Sequence, residues 1–266
     1  MVMLMSFEKK PGCAIFAVRG PFRKDQLKMP DPSGDRNRDY PIRDVVALVG
    51  YPAEPVVECH RHKFFHGIRD RYSVAAPLVV DYDNPTAFPS YRFEDPDKGA
   101  AVFLSAESLG YATTRYDGFA QFRKAFLSLV DLLGATFEIS ELTRVALWYT
   151  NVLPFERKHD AIPLSRFLKV GMSLPKEIPA KYLDVNINFT IPAGKGFLEV
   201  AVQPRYKDFP EPQEAIFLTL KYEMRQKIGI LDVSKHLDDA HEETQNHFRS
   251  LINQTYWKSL EKKGAR

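Results

Sequence analysis

The amino-acid sequence predicts an α+β protein, mainly antiparallel sheet with two principal amphipathic helices. Three observations lead there. Apolar residues recur at helical spacing from Phe119 to Leu133 and again beyond Leu237. "KYLDVNINFTI" alternates apolar and polar side chains with the two-residue period of a half-buried strand. Beyond Pro179, further strand-like runs follow it with only turns between them, which is the pattern of an antiparallel meander.

Composition is compatible with that class and excludes others. The 266-residue chain is 44% hydrophobic and 27% charged, the balance of a globular protein rather than a disordered one. The length suits a strand-rich half over 1–155, containing a helix at 119–133, and a second half over 156–266 with the meander and a final helix. The two halves are also compatible with a single domain. No apolar run approaches the roughly 20 residues needed to span a bilayer. The opening "MVMLMSFEKK" lacks the apolar core and small-residue cleavage pattern of a signal peptide, so the expectation is a cytoplasmic protein without a membrane partner. Two cysteines, Cys13 and Cys59, exclude a disulfide framework and form no CxxC pair.

The elements follow in order. Gly20 to Asp44 is polar and rich in turn residues, and reads as a long loop. Val45–Tyr51 and Val56–Phe65 are strand candidates, set apart by Pro52 and Pro55. A second irregular stretch, "DNPTAFPSYRFEDPDKG", ends at Gly99. The helix from Phe119 has Asp117 as its N-cap candidate and Gly134 as its stop signal. "LTRVALWYTNVL" is apolar on nearly both faces, as a central strand requires. After the meander comes a helix over roughly Leu237 to Leu260, with Leu237, His241, Thr244, Phe248, Leu251 and Ile252 on one face. "AVFLSAESLGYATTRYDGFAQFRKAF" and "AIFLTLKYEMRQKIG…LDDAHEETQNHF" both run strand, turn, amphipathic helix, a faint internal echo.

Two candidate sites fall in "VVECHRHKFFHG" and its continuation. From His60 to Arg71 the chain carries Arg61, Lys63, Arg69 and Arg71 against Asp70, an excess equal to the whole chain's net charge of +3. Interleaved with Phe64 and Phe65, these side chains suit an anionic partner: cations for phosphates, rings for stacking. Arg144, on the central strand, adds a bidentate donor for a carboxylate or phosphate; an internal ion pair is its other reading. On a strand, Glu58, His60 and His62 share one face and form a Glu-x-His-x-His set that suits Zn²⁺ or Fe²⁺ with open positions. The competing reading of the whole stretch is a charged edge strand that resists edge-to-edge pairing.

Catalytic signatures are otherwise missing. "AESLG" is not GxSxG, "AGKG" lacks the earlier glycine and the Ser/Thr of a P-loop, and "HEETQNH" sets its histidines too far apart for HExxH. His241, beside Asp238 and Glu242 on an apolar stripe, reads as a hydrogen-bonded core histidine. Asp184, Asn186, Asn188, Glu199, Gln203, Lys221 and Glu223 read as the water-facing side of the meander.

Arg144, Tyr149 and Asn151 in "LTRVALWYTN", with Leu237, Asp238, Ala240 and His241 in "LDDAHEETQNHF", carry a resemblance. Over about residues 99–258 the chain resembles a sporadically distributed prokaryotic family of uncharacterised proteins. The resemblance implies an accessory or defence-related role and supplies no activity. The functional expectation is therefore a non-catalytic binding or regulatory protein holding a nucleotide, a nucleic acid or an acidic protein surface through Arg61, Lys63, Arg69, Arg71 and Arg144. The alternative is a metal-dependent enzyme, with zinc or iron on Glu58, His60 and His62 and a metal-bound water as nucleophile.

Overall fold

A computed structural model describes residues 42–77, 90–95, 97–170, 182–207 and 213–258. From residue 42 to residue 137 the chain forms β1 (Ile42–Gly50), α1 (Pro55–Ile68), β2 (Val74–Pro77), β3 (Tyr91–Asp95), β4 (Ala100–Ser105), β5 (Ser108–Thr113) and α2 (Phe119–Phe137). From residue 141 it forms β6 (Glu141–Pro154), the short α3 (Leu164–Phe167), β7 (Ile187–Ala193), β8 (Gly196–Lys207), β9 (Gln213–Gly229) and α4 (Val233–Leu251). The class is α+β: among the described residues, nine strands form one sheet in the order β2-β3-β4-β5-β1-β6-β9-β8-β7, and the paired strands are antiparallel.

At its centre β1 pairs with β6, with Val46 opposite Trp148 and Gly50 opposite Arg144. On its other side β1 is flanked by β5, and β6 by β9. The faint echo in the sequence thus has a topological counterpart: β5–α2 and β9–α4 occupy matching places.

The helices lie on one face. Strand alternation and three contacts fix which. Tyr149 of β6 touches His241 of α4, Tyr111 of β5 touches Phe122 of α2, and Tyr91 of β3 lies under Arg61 of α1. Odd-numbered residues of these strands therefore face the helices, and the even-numbered ones face away. Between sheet and helices sits the main core, including Val45, Ala47, Leu104, Leu109, Leu147, Leu198, Leu220, Phe126, Leu133 and Leu237.

Several local expectations are corrected. Val56–Phe65 is not a strand but most of α1. Glu54 caps the helix, accepting a hydrogen bond from the Val56 amide, and Pro55 stands in the first turn, where its missing N–H costs nothing. Val57, Phe64 and Ile68 are the buried stripe, and Phe64 packs between Phe93 and Phe137. Pro55 therefore starts a helix rather than separating two strands.

Gly134 does not end α2, which continues to Phe137 and closes at Glu138 with φ 58°. A Cβ on Gly134 would lie 3.0 Å from Ile230 Cδ1, so the glycine permits close packing rather than termination. Gly118, not Asp117, occupies the N-cap position, with φ 103°. α4 starts earlier and stops sooner than its periodicity predicts, because Ile252 turns to extended backbone. β7 begins at Ile187 rather than Leu183, and the irregular stretch before Gly99 contains β3. Ile42–Asp44 belongs to β1; the rest of the long loop, and Cys13 before it, lie outside the described residues.

Candidate functional site

The face of the sheet turned away from the helices carries an alternation of cations and aromatic rings. Arg92 lies over Phe103, Lys221 over Trp148 and Arg225 over Phe197, while Arg43 and Arg205 both approach Phe217. Each pairing brings the charged group to 5.4–6.0 Å from a ring centroid, within the range where the ring's negative face attracts a cation. Phe217 also forms a small separate apolar cluster with Val152 and Ala215, distinct from the main core.

Register brings Gly50, Arg144 and Arg225 into one row across β1, β6 and β9. A Cβ on Gly50 would lie 3.2 Å from the Arg144 Cβ and 3.3 Å from its Nε, so the missing side chain leaves room for this arginine to lie across β1. The next residue on that row is Ser108, whose hydroxyl is 2.9 Å from that of Ser105.

One row further along stands Glu223, only 1% exposed. Lys221 Nζ is 2.8 Å from its Oε2, and Arg225 Nε donates to Oε1. Burial alone raises this carboxyl's pKa, but hydrogen bonds from Lys221 and Arg225 outweigh it and hold the pKa below the ordinary carboxylate value. The expectation that Glu223 faces water is thus overturned: it anchors two cations from beneath. Arg144 has no ion-pair partner among the described residues. Arg43, Arg92, Arg144, Arg205, Lys221 and Arg225 together outnumber Asp44, Glu94, Glu199 and Glu223 on this face.

The residues singled out from the sequence do not converge here. Arg144 is on this face, but Arg61, Lys63, Arg69 and Arg71 follow α1 on the opposite side of the sheet. Arg61 is occupied there, donating to the Glu58 carbonyl at 2.7 Å and lying 4.0 Å from the Tyr91 ring centroid. Lys63, Arg69 and Arg71 are exposed.

The Glu-x-His-x-His reading requires a strand. On a helix, alternate residues are about 200° apart around the axis, so spacing no longer gathers Glu58, His60 and His62 on one side. A kink at His60 brings its ring to 5.8 Å from that of His62. Among the described residues, no group of three or more His, Cys, Asp or Glu side chains is placed to hold a metal ion.

A second polar cluster joins Tyr149 and Asn151 of β6 with Asp238 and His241 of α4 and their neighbours. Tyr149 of β6 lies 2.8 Å from Nδ1 of His241, and Gln245 is 3.0 Å from Nε2. Phe119 stacks flat on the imidazole, with centroids 3.7 Å apart. Burial is the main cause that lowers the His241 pKa to about 4, with Asp238 opposing and Arg249 adding to the effect. The ring is neutral at physiological pH. Burial raises the Tyr149 hydroxyl, which keeps its proton. Nearby, Arg123 of α2 grips Asp238 of α4 bidentately at 2.6 and 3.0 Å. Asn151 is buried and donates to the Leu218 carbonyl. These groups fasten β6, α2 and α4 together; His241 is hydrogen-bonded as expected, but only partly buried rather than in the core.

One signal for the basic face is present in the sequence. Lys221, Glu223 and Arg225 alternate along β9, as do Phe197 and Glu199 along β8, and only the pairing register makes them one surface. A search of protein-family models and of curated proteins finds no match to the chain.

Proposed function

We propose that this chain is a cytoplasmic, non-catalytic binding protein that holds an anionic partner on the face of its sheet turned away from α1, α2 and α4. The observation that carries the reading is the row Gly50–Arg144–Arg225: an arginine without an acidic partner among the described residues lies next to one anchored by a buried glutamate. Guanidinium groups suit phosphate because their planar fork donates two parallel hydrogen bonds. Trp148 and Phe197, partly exposed on either side of Lys221 and Glu223, offer ring faces beside the charge. Phosphate together with a ring is the chemistry of a nucleotide or a single-stranded nucleic acid. Lys63, Arg69 and Arg71, on the other side of the sheet, make no contribution to this site. No helix among the described residues is long and apolar enough to cross a membrane.

Fluorescence anisotropy with a labelled single-stranded oligonucleotide tests the reading, with an acidic peptide as comparison. Arg144→Ala is expected to weaken oligonucleotide binding about tenfold, the equivalent of one charge-assisted contact, and to flatten its dependence on salt. Arg69→Ala is expected to leave binding unchanged. Equal affinity in wild type and Arg144→Ala, or binding that ignores salt, overturns the proposal; preference for the acidic peptide changes the partner class.

A further inference from the structure

Among the described residues, the sheet ends in two edges of different character. β2 is four residues long and finishes on Pro77, two common ways of blunting an edge. β7 reads INFTIPA, seven residues without a charge. Asn188, Thr190 and Pro192 are exposed along it.

Which backbone groups β7 presents follows from its hairpin. Ala193 pairs with Gly196 across the two-residue turn Gly194–Lys195. The closing pair of such a turn exchanges both hydrogen bonds, and bonded pairs then alternate along an antiparallel ladder. Ile187, Phe189, Ile191 and Ala193 therefore direct their N–H and C=O groups at β8. Asn188 and Thr190 direct theirs outward, as Pro192 does its carbonyl.

The prolines agree with this phase. Pro192 falls where an N–H would face outward, so it costs β7–β8 no hydrogen bond. Pro204 of β8 falls on the side facing β7, beyond Val202, the last residue that β7 pairs.

We infer that β7 is a self-pairing edge through which two copies of this chain join their sheets. A two-fold axis through Phe189 sets Asn188 of each copy opposite Thr190 of the other. All the N–H and C=O groups of these two residues are then satisfied, with the two Phe189 rings side by side. Phe189 faces the helices and is half-buried in one copy, and an aromatic pair directly opposite on an antiparallel ladder is a favourable cross-strand contact. The missing N–H of Pro192 disfavours shifting the register toward the hairpin turn, which gives the contact a closed, isologous form. Because the axis is normal to the sheet, like faces stay on the same side. The two faces turned away from α1, α2 and α4 become neighbours, and the pairing of the edges does not depend on whether those faces bind an anion.

Light scattering on the full chain across a concentration series, coupled to size exclusion, tests this. The wild type is expected to rise from 30.5 kDa toward twice that mass. Thr190→Pro removes only an outward N–H, so it is expected to stay monomeric while keeping its circular dichroism and thermal midpoint. Thr190→Lys, which adds a charge to each side of the axis, is expected to do the same and serves if the proline variant misfolds. A wild-type mass of 30.5 kDa up to the solubility limit overturns the inference, as does a dimer that both variants preserve.

Discussion

Replacing His241 with glutamine tests the junction between β6 and α4 through its pH dependence. His241 is neutral in the fold because burial lowers its pKa from 6.5 to about 4. The unfolded chain therefore binds a proton near pH 6.5 that the folded chain accepts only near 4. Between those values the unfolded state holds more protons, so stability rises with pH through the window. It is complete above the unfolded pKa and is lost as pH falls through the folded one. A tenfold change in proton affinity corresponds to about 1.4 kcal/mol, so the full displacement sets an upper bound of about 3.4 kcal/mol. His241 keeps partial contact with solvent, and screening reduces the working figure to about 1–2 kcal/mol. Glutamine does not titrate and keeps a hydrogen-bonding group near Tyr149. Urea unfolding at about pH 7 and about pH 4.5 measures the difference. The wild type is expected to lose about 1–2 kcal/mol more than His241→Gln over that interval. Parallel losses in the two proteins would refute the account of His241 as a buried neutral group.

Phe64 is fully buried and packs against Phe93 and Phe137, joining α1 to the sheet and to α2. Phe64→Ala is expected to cost about 3–5 kcal/mol in chemical denaturation, whereas His62→Ala, on the exposed side of α1, is expected to change stability by less than about 0.5 kcal/mol. Glu223→Gln removes the charge that Lys221 and Arg225 share. Both cations are partly in water, with side chains 31% and 49% exposed, so the expected loss is about 1–2 kcal/mol rather than the larger cost of stranding buried charges. The Glu223 pKa is lowered, so its contribution is present above the ordinary carboxylate pKa and lost as pH falls through the folded one. Wild type and Glu223→Gln should therefore converge in acid, which unfolding measured below about pH 4 would show.

Periodicity by itself determined much of the fold. The apolar spacing of α2 and α4, the two-sided burial of β6 and the alternation leading into β7 each reflect a geometric repeat that a side-chain pattern must match. The α+β class follows from those elements, since one-sided helices must bury their stripes on something. In α1 the decision lay elsewhere. "VVECHRHKFF" contains β-branched and aromatic residues that suit a strand, while Val57, Phe64 and Ile68 suit a helix. The Glu54 cap, the position of Pro55 and the Phe93–Phe137 pocket resolve it. That choice took Glu58, His60 and His62 off a common strand face and placed Arg61 on Tyr91. The basic face was likewise invisible as a unit. Alternation tells which residues of one strand share a side, but not which strand lies next to it. Gly50, Arg144 and Arg225 come from distant parts of the chain and meet only because β1, β6 and β9 are neighbours. Glu223 looked like a solvated acid because burial depends on what the neighbouring strands place around it, and that is a property of the register.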